Sequence, residues 1–215
     1  MDRHINFFEL EKAAAKPGCP LCRIIADRAE QYLDNLLFEH VSDRAFRAAY
    51  RAAGGFCAHH SRHLESFRDG LAVAILGRDI LEDRLKSFAR KKFSKPKVPC
   101  PVCLEQDRIE KEYLGFLAGS GGDGTDEADL RTAFTASDGL CVPHYEGLFK
   151  CAKVIPGWII RFHEGRFKEL LVRTERFIEL SAYGRQEEFS RLEEKDKIVW
   201  KELAVTLRGG RPDRG

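Results

Sequence analysis

CPLCRIIADRAEQYLDNLLF, residues 19–38, sets two thiols one helical turn apart at the head of a segment with helical apolar spacing. Ile24, Ile25, Tyr32, Leu33, Leu36 and Leu37 fall on one face, and no Pro or Gly interrupts the run after Pro20. A Cys-Pro start reads as a helix N-terminus, with Cys19 as the cap and Pro20 as the first helical residue. Thiolates placed there sit against free backbone N–H groups and the positive end of the helix dipole, which lowers their pKa. Such a pair serves as a redox dithiol or as half of a metal site, and one copy alone does not decide between them.

A second copy narrows the choice. CPVC stands at 100–103, and each pair is followed by a second motif, GFCAHH at 55–60 and GLCVPH at 139–144. Cys100 and Cys103 follow Cys19 and Cys22 by 81 residues, whereas Cys141 and His144 follow Cys57 and His60 by 84. The difference needs a three-residue insertion, for which the glycine-rich, loop-like stretch GSGGDGTD at 119–126 is the natural place. Before it, Tyr32, Leu33 and Leu36 align with Tyr113, Leu114 and Leu117. After it, Phe46, Arg47, Tyr50, Gly55 and Phe56 align with Leu130, Arg131, Phe134, Gly139 and Leu140. Apolar positions meet apolar ones across the insertion, so the chain reads as a tandem repeat, 1–95 and 96–180, followed by a C-terminal helix and disordered tail at 181–215.

The expected fold is an all-α, tandem-duplicated helical bundle. DRAFRAAYRAAGG gives a shorter helix stopped at Gly54-Gly55, and LAVAILGRDILEDRLKSFARKKF and WIIRFHEGRFKELLVRTERFIELSA give the long helices that close each repeat. EEFSRLEEKDKIVWKELAVTL makes a last helix, and RGGRPDRG, at 208–215, reads as disordered. No segment alternates as a strand does.

Composition sets the class. The chain of 215 residues is 43% hydrophobic and 33% charged, an ordinary globular balance, and its formal net charge of +2 gives no global field for nucleic acid or an anionic membrane. The opening MDRHINFFELEKAAAKPG mixes both charges with short apolar runs, unlike a signal peptide, and no stretch is long enough to span a bilayer. Seven cysteines in this setting point to a reducing compartment and to metal binding rather than disulfides. The location expected is cytoplasmic.

Each repeat offers three cysteines and one histidine: Cys19, Cys22, Cys57 and His60 in the first, Cys100, Cys103, Cys141 and His144 in the second. Three soft thiolates and an imidazole suit a tetrahedral zinc ion with no open position. The expectation is two zinc ions per chain, each held within its own repeat, because pairing across repeats has longer loops to close. His59 and His63 align with Pro143 and Gly147, do not recur, and read as surface or supporting residues. Cys151 aligns with Phe67 and reads as a small core hydrophobe; His4, His40 and His163 receive no role.

The ordered set C-P-x-C, G-F-C-x-x-H, C-P-x-C, G-L-C-x-x-H, closed by EEKDKIVWKELAVTLRGG, resembles a bacterial family known as a domain of unknown function. The resemblance runs over nearly the whole chain. It implies a prokaryotic, metal-binding protein and supplies no activity.

Other readings compete. HLE at 63–65 with PCPVC at 99–103 satisfies the zinc-deaminase pattern, in which Glu65 would shuttle protons. That match cuts across the repeat boundary, leaves Cys19, Cys22 and Cys57 idle, and needs a sheet. Thiol redox catalysis normally uses a C-x-x-C after a strand, and an iron–sulfur cluster can use the same ligands. A nucleic-acid module would rest on RLKSFARKKFSKPK, where Arg84, Lys86, Arg90, Lys91, Lys92, Lys95 and Lys97 occur without an acid, and on the arginine-rich tail at 208–214. The reading that uses every recurring residue is a non-enzymatic zinc-binding structural or interaction protein with an unknown protein partner.

Overall fold

In a computed structural model the chain is described from residue 5 to 210, apart from 68, 94, 97 and 121–124, with backbone alone at 65 and 125–127. Every element is helical, and no strand occurs among the described residues. In order these are α1 (Ile5–Ala14), α2 (Pro20–Asn35), α3 (Arg44–Ala52), α4 (Ala58–His63), α5 (Gly70–Ala89), α6 (Pro101–Ala118), α7 (Thr125–Thr135), α8 (Val142–Cys151), α9 (Gly157–Leu180), α10 (Gln186–Ser190), α11 (Glu194–Lys197) and α12 (Val199–Arg208). α2 runs on into a wider π-helical turn, Leu36–His40.

The expected starts hold. Pro20 and Pro101 are the first residues of α2 and α6, and Cys57 and Cys141 are the N-caps of α4 and α8 with extended backbones, φ −67° in both. Gly54 and Gly55, with φ +68° and +96°, end the α3 turn where a side chain would be strained. One expected element differs: the last helix, read as continuous from 187 to 207, is broken into α10, α11 and α12. Arg173 of α9 explains part of the break, since it bonds Asp196 at 2.7 Å, Glu202 at 2.9 Å and the Lys195 carbonyl at 3.2 Å, stitching the chain at the break rather than letting it run straight.

The chain divides into two compact units, 1–24 with 110–215, and 25–109. These do not coincide with the sequence repeats, because the divisions fall inside α2 and α6. The second unit packs Leu33, Leu36 and Leu37 of α2 and its turn against Tyr50, Phe56, Leu64, Leu76 and Val102. Arg47 and Arg51 of α3 reach Asp79 (2.6 Å) and Asp83 (2.8 Å) of α5, four residues apart on both helices, and so fix the α3–α5 register. The first unit buries Leu10 of α1, Tyr113, Leu114 and Leu117 of α6, Phe134 of α7, Leu148 of α8 and Ile159 of α9. Phe134 meets Trp158, Phe162 and His163 at ring distances of 5.9–6.0 Å. No helix among the described residues is long and apolar enough to cross a membrane.

Candidate metal centres

All eight cysteine and histidine residues singled out by the repeat come together, in two groups of four. Cys19, Cys22, Cys141 and His144 form one, in the first unit; Cys57, His60, Cys100 and Cys103 form the other, in the second unit. In each group the ligand atoms lie within 4.8 Å of one another, so each can hold a metal ion.

The pairing corrects the sequence expectation, because each group takes its C-x-x-C from one repeat and its C-x-x-H from the other. Helix length gives the reason. The sixteen residues of α2 carry the chain about 24 Å from Cys19, and the nine of α3 bring it back by only about 14 Å. The second repeat has the same mismatch, eighteen residues in α6 against eleven in α7. Loop-closure entropy grows only logarithmically with length, so the longer loops of the exchanged pairing cost little extra.

The two histidines face the thiols through Nδ1. His144 Nδ1 lies 3.3, 3.4 and 3.2 Å from the sulfurs of Cys19, Cys22 and Cys141. His60 Nδ1 lies 3.2, 3.5 and 3.5 Å from those of Cys57, Cys100 and Cys103. Sulfur pairs stand at 3.6 Å (Cys22–Cys141) and 3.8 Å (Cys57–Cys103). Zinc bonds of about 2.3 Å to sulfur and about 2.0 Å to nitrogen give tetrahedral edges of about 3.8 Å and about 3.5 Å, so both donor sets fit one such ion.

The electrostatics of the two groups differ. Burial pushes the Cys19 thiol well up, while Cys22 is held far below the ordinary thiol range by hydrogen bonds from Cys141 and Cys19 and then by His144. For His144, burial works against the charged form but hydrogen bonds to Cys141 and Cys22 overcome it and raise the imidazole to about 10. In the other group burial lifts Cys103 to about 12 and pushes His60 down. Burial also opposes the Cys57 thiolate, yet the N–H groups of His60 and His59 and the Cys103 thiol leave it lowered. A cation entering either group displaces thiol protons, so its affinity must weaken in acid.

Neighbouring side chains separate the groups further. Glu110 places a carboxylate oxygen 3.8 Å from His144 Nε2, the side facing away from the thiols. At the repeat-equivalent position stands Ala29; His60 Nε2 is buried with no close hydrogen bond among the described residues, and the side chain that acts on the His60 ring is Gln106 rather than a carboxylate. His163, given no role from sequence, is fully buried, with its Nε2 accepting the Leu140 N–H at 2.8 Å and its Nδ1 2.8 Å from the Ile159 carbonyl. It thereby fixes the residue before Cys141 and stacks on Tyr145 at 4.7 Å. Its counterpart in the other repeat is Asp79, which is also buried.

The remaining assignments divide. His59 and His40 are exposed, and His63 packs its ring against Phe67. His63 is not in the Cys100–Cys103 group, where the deaminase pattern needs it; the side chain of Glu65 lies outside the described residues. Cys151, expected in the core, is exposed at the end of α8. Of the basic stretch, Lys86, Arg90, Lys91, Lys92 and Lys95 are exposed and Arg84 half-buried, while Lys97, residues 211–214 of the arginine-rich tail, and His4 lie outside the described residues.

The fold and its sites thus define an all-α protein with two Cys3His clusters, each geometrically able to hold a metal ion. Residues 1–99 match a family described as "Family of unknown function (DUF6062)", which takes in the first C-P-x-C and the first C-x-x-H and stops before Cys100. The resemblance suggested by the motifs is therefore to an uncharacterised family, carried by under half of the chain. A protein of Caldicellulosiruptor sp. (strain Rt8B.4) described as "Uncharacterized 23.9 kDa protein in xynA 3'region" is 32% identical over 100 residues, 44% of this chain and 49% of that one. The chain spans about half the length of that relative. No solved structure matches.

Proposed function

We propose that both clusters are closed zinc sites and that the protein is a metal-braced helical binding or scaffolding protein rather than an enzyme. The observation that carries this reading is the completeness of each donor set: three sulfurs and one imidazole nitrogen within 4.8 Å of one another, with the nitrogen–sulfur separations and one sulfur pair in each set near the edge lengths of a single tetrahedral ion. Four protein ligands leave no coordination position for an activated water. The sulfur separations favour one ion over an iron–sulfur cluster, whose several atoms would hold the four ligands further apart. Placing two of the donors in each set at helix N-termini offsets part of the negative charge of three thiolates. Elemental analysis of the purified protein should find two zinc ions per chain; a metal-free protein, or a coloured one carrying several irons, would overturn the proposal.

One observation favours a second reading, nucleic-acid binding through the end of α5. Phe88 and Phe93 are 53% and 72% exposed with ring centroids 5.8 Å apart, beside the exposed Arg90, Lys91, Lys92 and Lys95. Aromatic faces among cations suit single strands. Binding to a generic oligonucleotide that weakens steeply with salt would support it, and no binding at low salt would remove it.

A further inference from the structure

We propose that the Gly209–Gly210 turn at the end of α12 is a strap over the Cys19/Cys22/Cys141/His144 site, so that its ion is held kinetically while the ion of the other site exchanges. This rests on the zinc reading of the clusters and adds a difference between them.

The Gly210 N–H donates to Cys22 Sγ at 3.1 Å, across 188 residues of sequence. Gly209 has φ +75° and Gly210 φ +117°, conformations that side chains rarely adopt. A Cβ on Gly209 would stand 3.2 Å from Cys141 Sγ and 3.4 Å from Cys22 Sγ. The glycine is thus called for twice, by backbone conformation and by close approach to two sulfurs that face one ion position. The turn is anchored: Gly209 N–H donates to the Val205 carbonyl at 2.8 Å, and α12 packs on α8 and α9, with Val199 fully buried. Lys201, Glu202, Val205 and Thr206 of α12 line a cavity of about 190 Å³ whose other wall includes Cys19 and Cys141.

Among the described residues, no comparable turn lies on the sulfurs of the other site. The hydrogen bonds to its sulfurs, among the described residues, come from its own four residues and from the His59 N–H in the first turn of α4. Both Cys57 and Cys103 are partly exposed there, against Cys22 alone in the strapped site. An incoming chelator must reach a sulfur or wait for one to leave the ion. An N–H bonded to the sulfur and a backbone turn lying on it hinder both routes, and outer partners of this kind typically alter metal affinity by about 10–100-fold.

The test is zinc release from the full-length protein into excess chromogenic chelator. Two equivalents should leave in two phases, one fast and one slower by about tenfold or more, and Cys57→Ser should abolish the fast phase only. Ending the chain at Arg208 should convert the slow phase to a fast one with helical circular dichroism unchanged. Gly209→Val, which forces the turn off the sulfurs without shortening the chain, should do the same if the truncated chain fails to fold. Two ions released at a single rate from the unaltered protein, or a slow phase that survives both changes, would overturn the strap while leaving the zinc sites standing; a protein that binds no zinc would overturn both.

Discussion

At the scale of single residues, His163 holds the segment that leads into Cys141, its Nε2 accepting the Leu140 N–H at 2.8 Å and its ring stacking on Tyr145. The eight cysteine and histidine residues were found because each has a partner in the other repeat, and the same criterion set aside His59 and His63. It also hid His163, because its counterpart is an aspartate and the shared property is burial of a polar group, which one sequence does not display. His163 should matter measurably. Burial holds its pKa at about 4, below the roughly 6.5 of an exposed imidazole, so the unfolded chain binds more protons between those values. Its contribution is therefore complete above about pH 6.5 and lost as the pH falls toward 4. Replacing it with Leu leaves the buried Leu140 N–H without its acceptor, at a cost of about 1–3 kcal/mol. In urea melts the gap between the natural protein and His163→Leu should be widest at neutral pH and shrink toward pH 4; a gap that grows in acid would contradict this. Phe134, 0% exposed at the centre of its aromatic cluster, should cost about 3–5 kcal/mol as Phe134→Ala in the same assay.

At the scale of elements, helix starts were readable because they rest on local chemistry, Cys-Pro at N-termini and glycines at positive φ. The pairing of C-x-x-C with C-x-x-H was misread although the information was present. The apolar-periodic run after Cys22 is nearly twice the length of the one after Asp43, so the two helices alone do not bring the chain back to its origin, and the entropy of a longer loop is a weak argument against exchange. The break into α10, α11 and α12 was not readable locally, since it depends on Arg173 arriving from α9. The α3–α5 ladder makes a graded test of element register. Asp79 has a side chain 2% exposed and Asp83 one 39% exposed. Removing one partner of the buried pair by Asp79→Ala should cost about 3 kcal/mol, and Asp83→Ala under about 1 kcal/mol. Arg47 holds the Asp79 carboxyl below the usual range, so the Asp79 contribution is present at neutral pH and lost as the pH drops through that lowered value. Equal costs for the two substitutions in chemical denaturation would mean that the ladder does not set the register.

At the scale of the whole molecule, the two compact units do not coincide with the two sequence repeats, and each unit contains one cluster built from both. A metal bound at such a cluster stabilises contacts between distant parts of the chain, and its binding free energy is also folding free energy. Chelation should therefore lower the melting temperature in two steps if the sites release at different rates, and readdition of zinc should restore it; a melting curve indifferent to chelator would separate metal from fold. The most direct measurement compares zinc content, after dialysis against a competing chelator, in two double variants. Cys22→Ala with Cys141→Ala removes two ligands from one cluster and leaves the other whole, so one equivalent should remain. Cys22→Ala with Cys57→Ala takes one ligand from each, so little or none should remain. The reverse outcome, one equivalent in the Cys22/Cys57 variant and none in the Cys22/Cys141 variant, would mean that each repeat holds its own ion and would contradict the exchanged pairing.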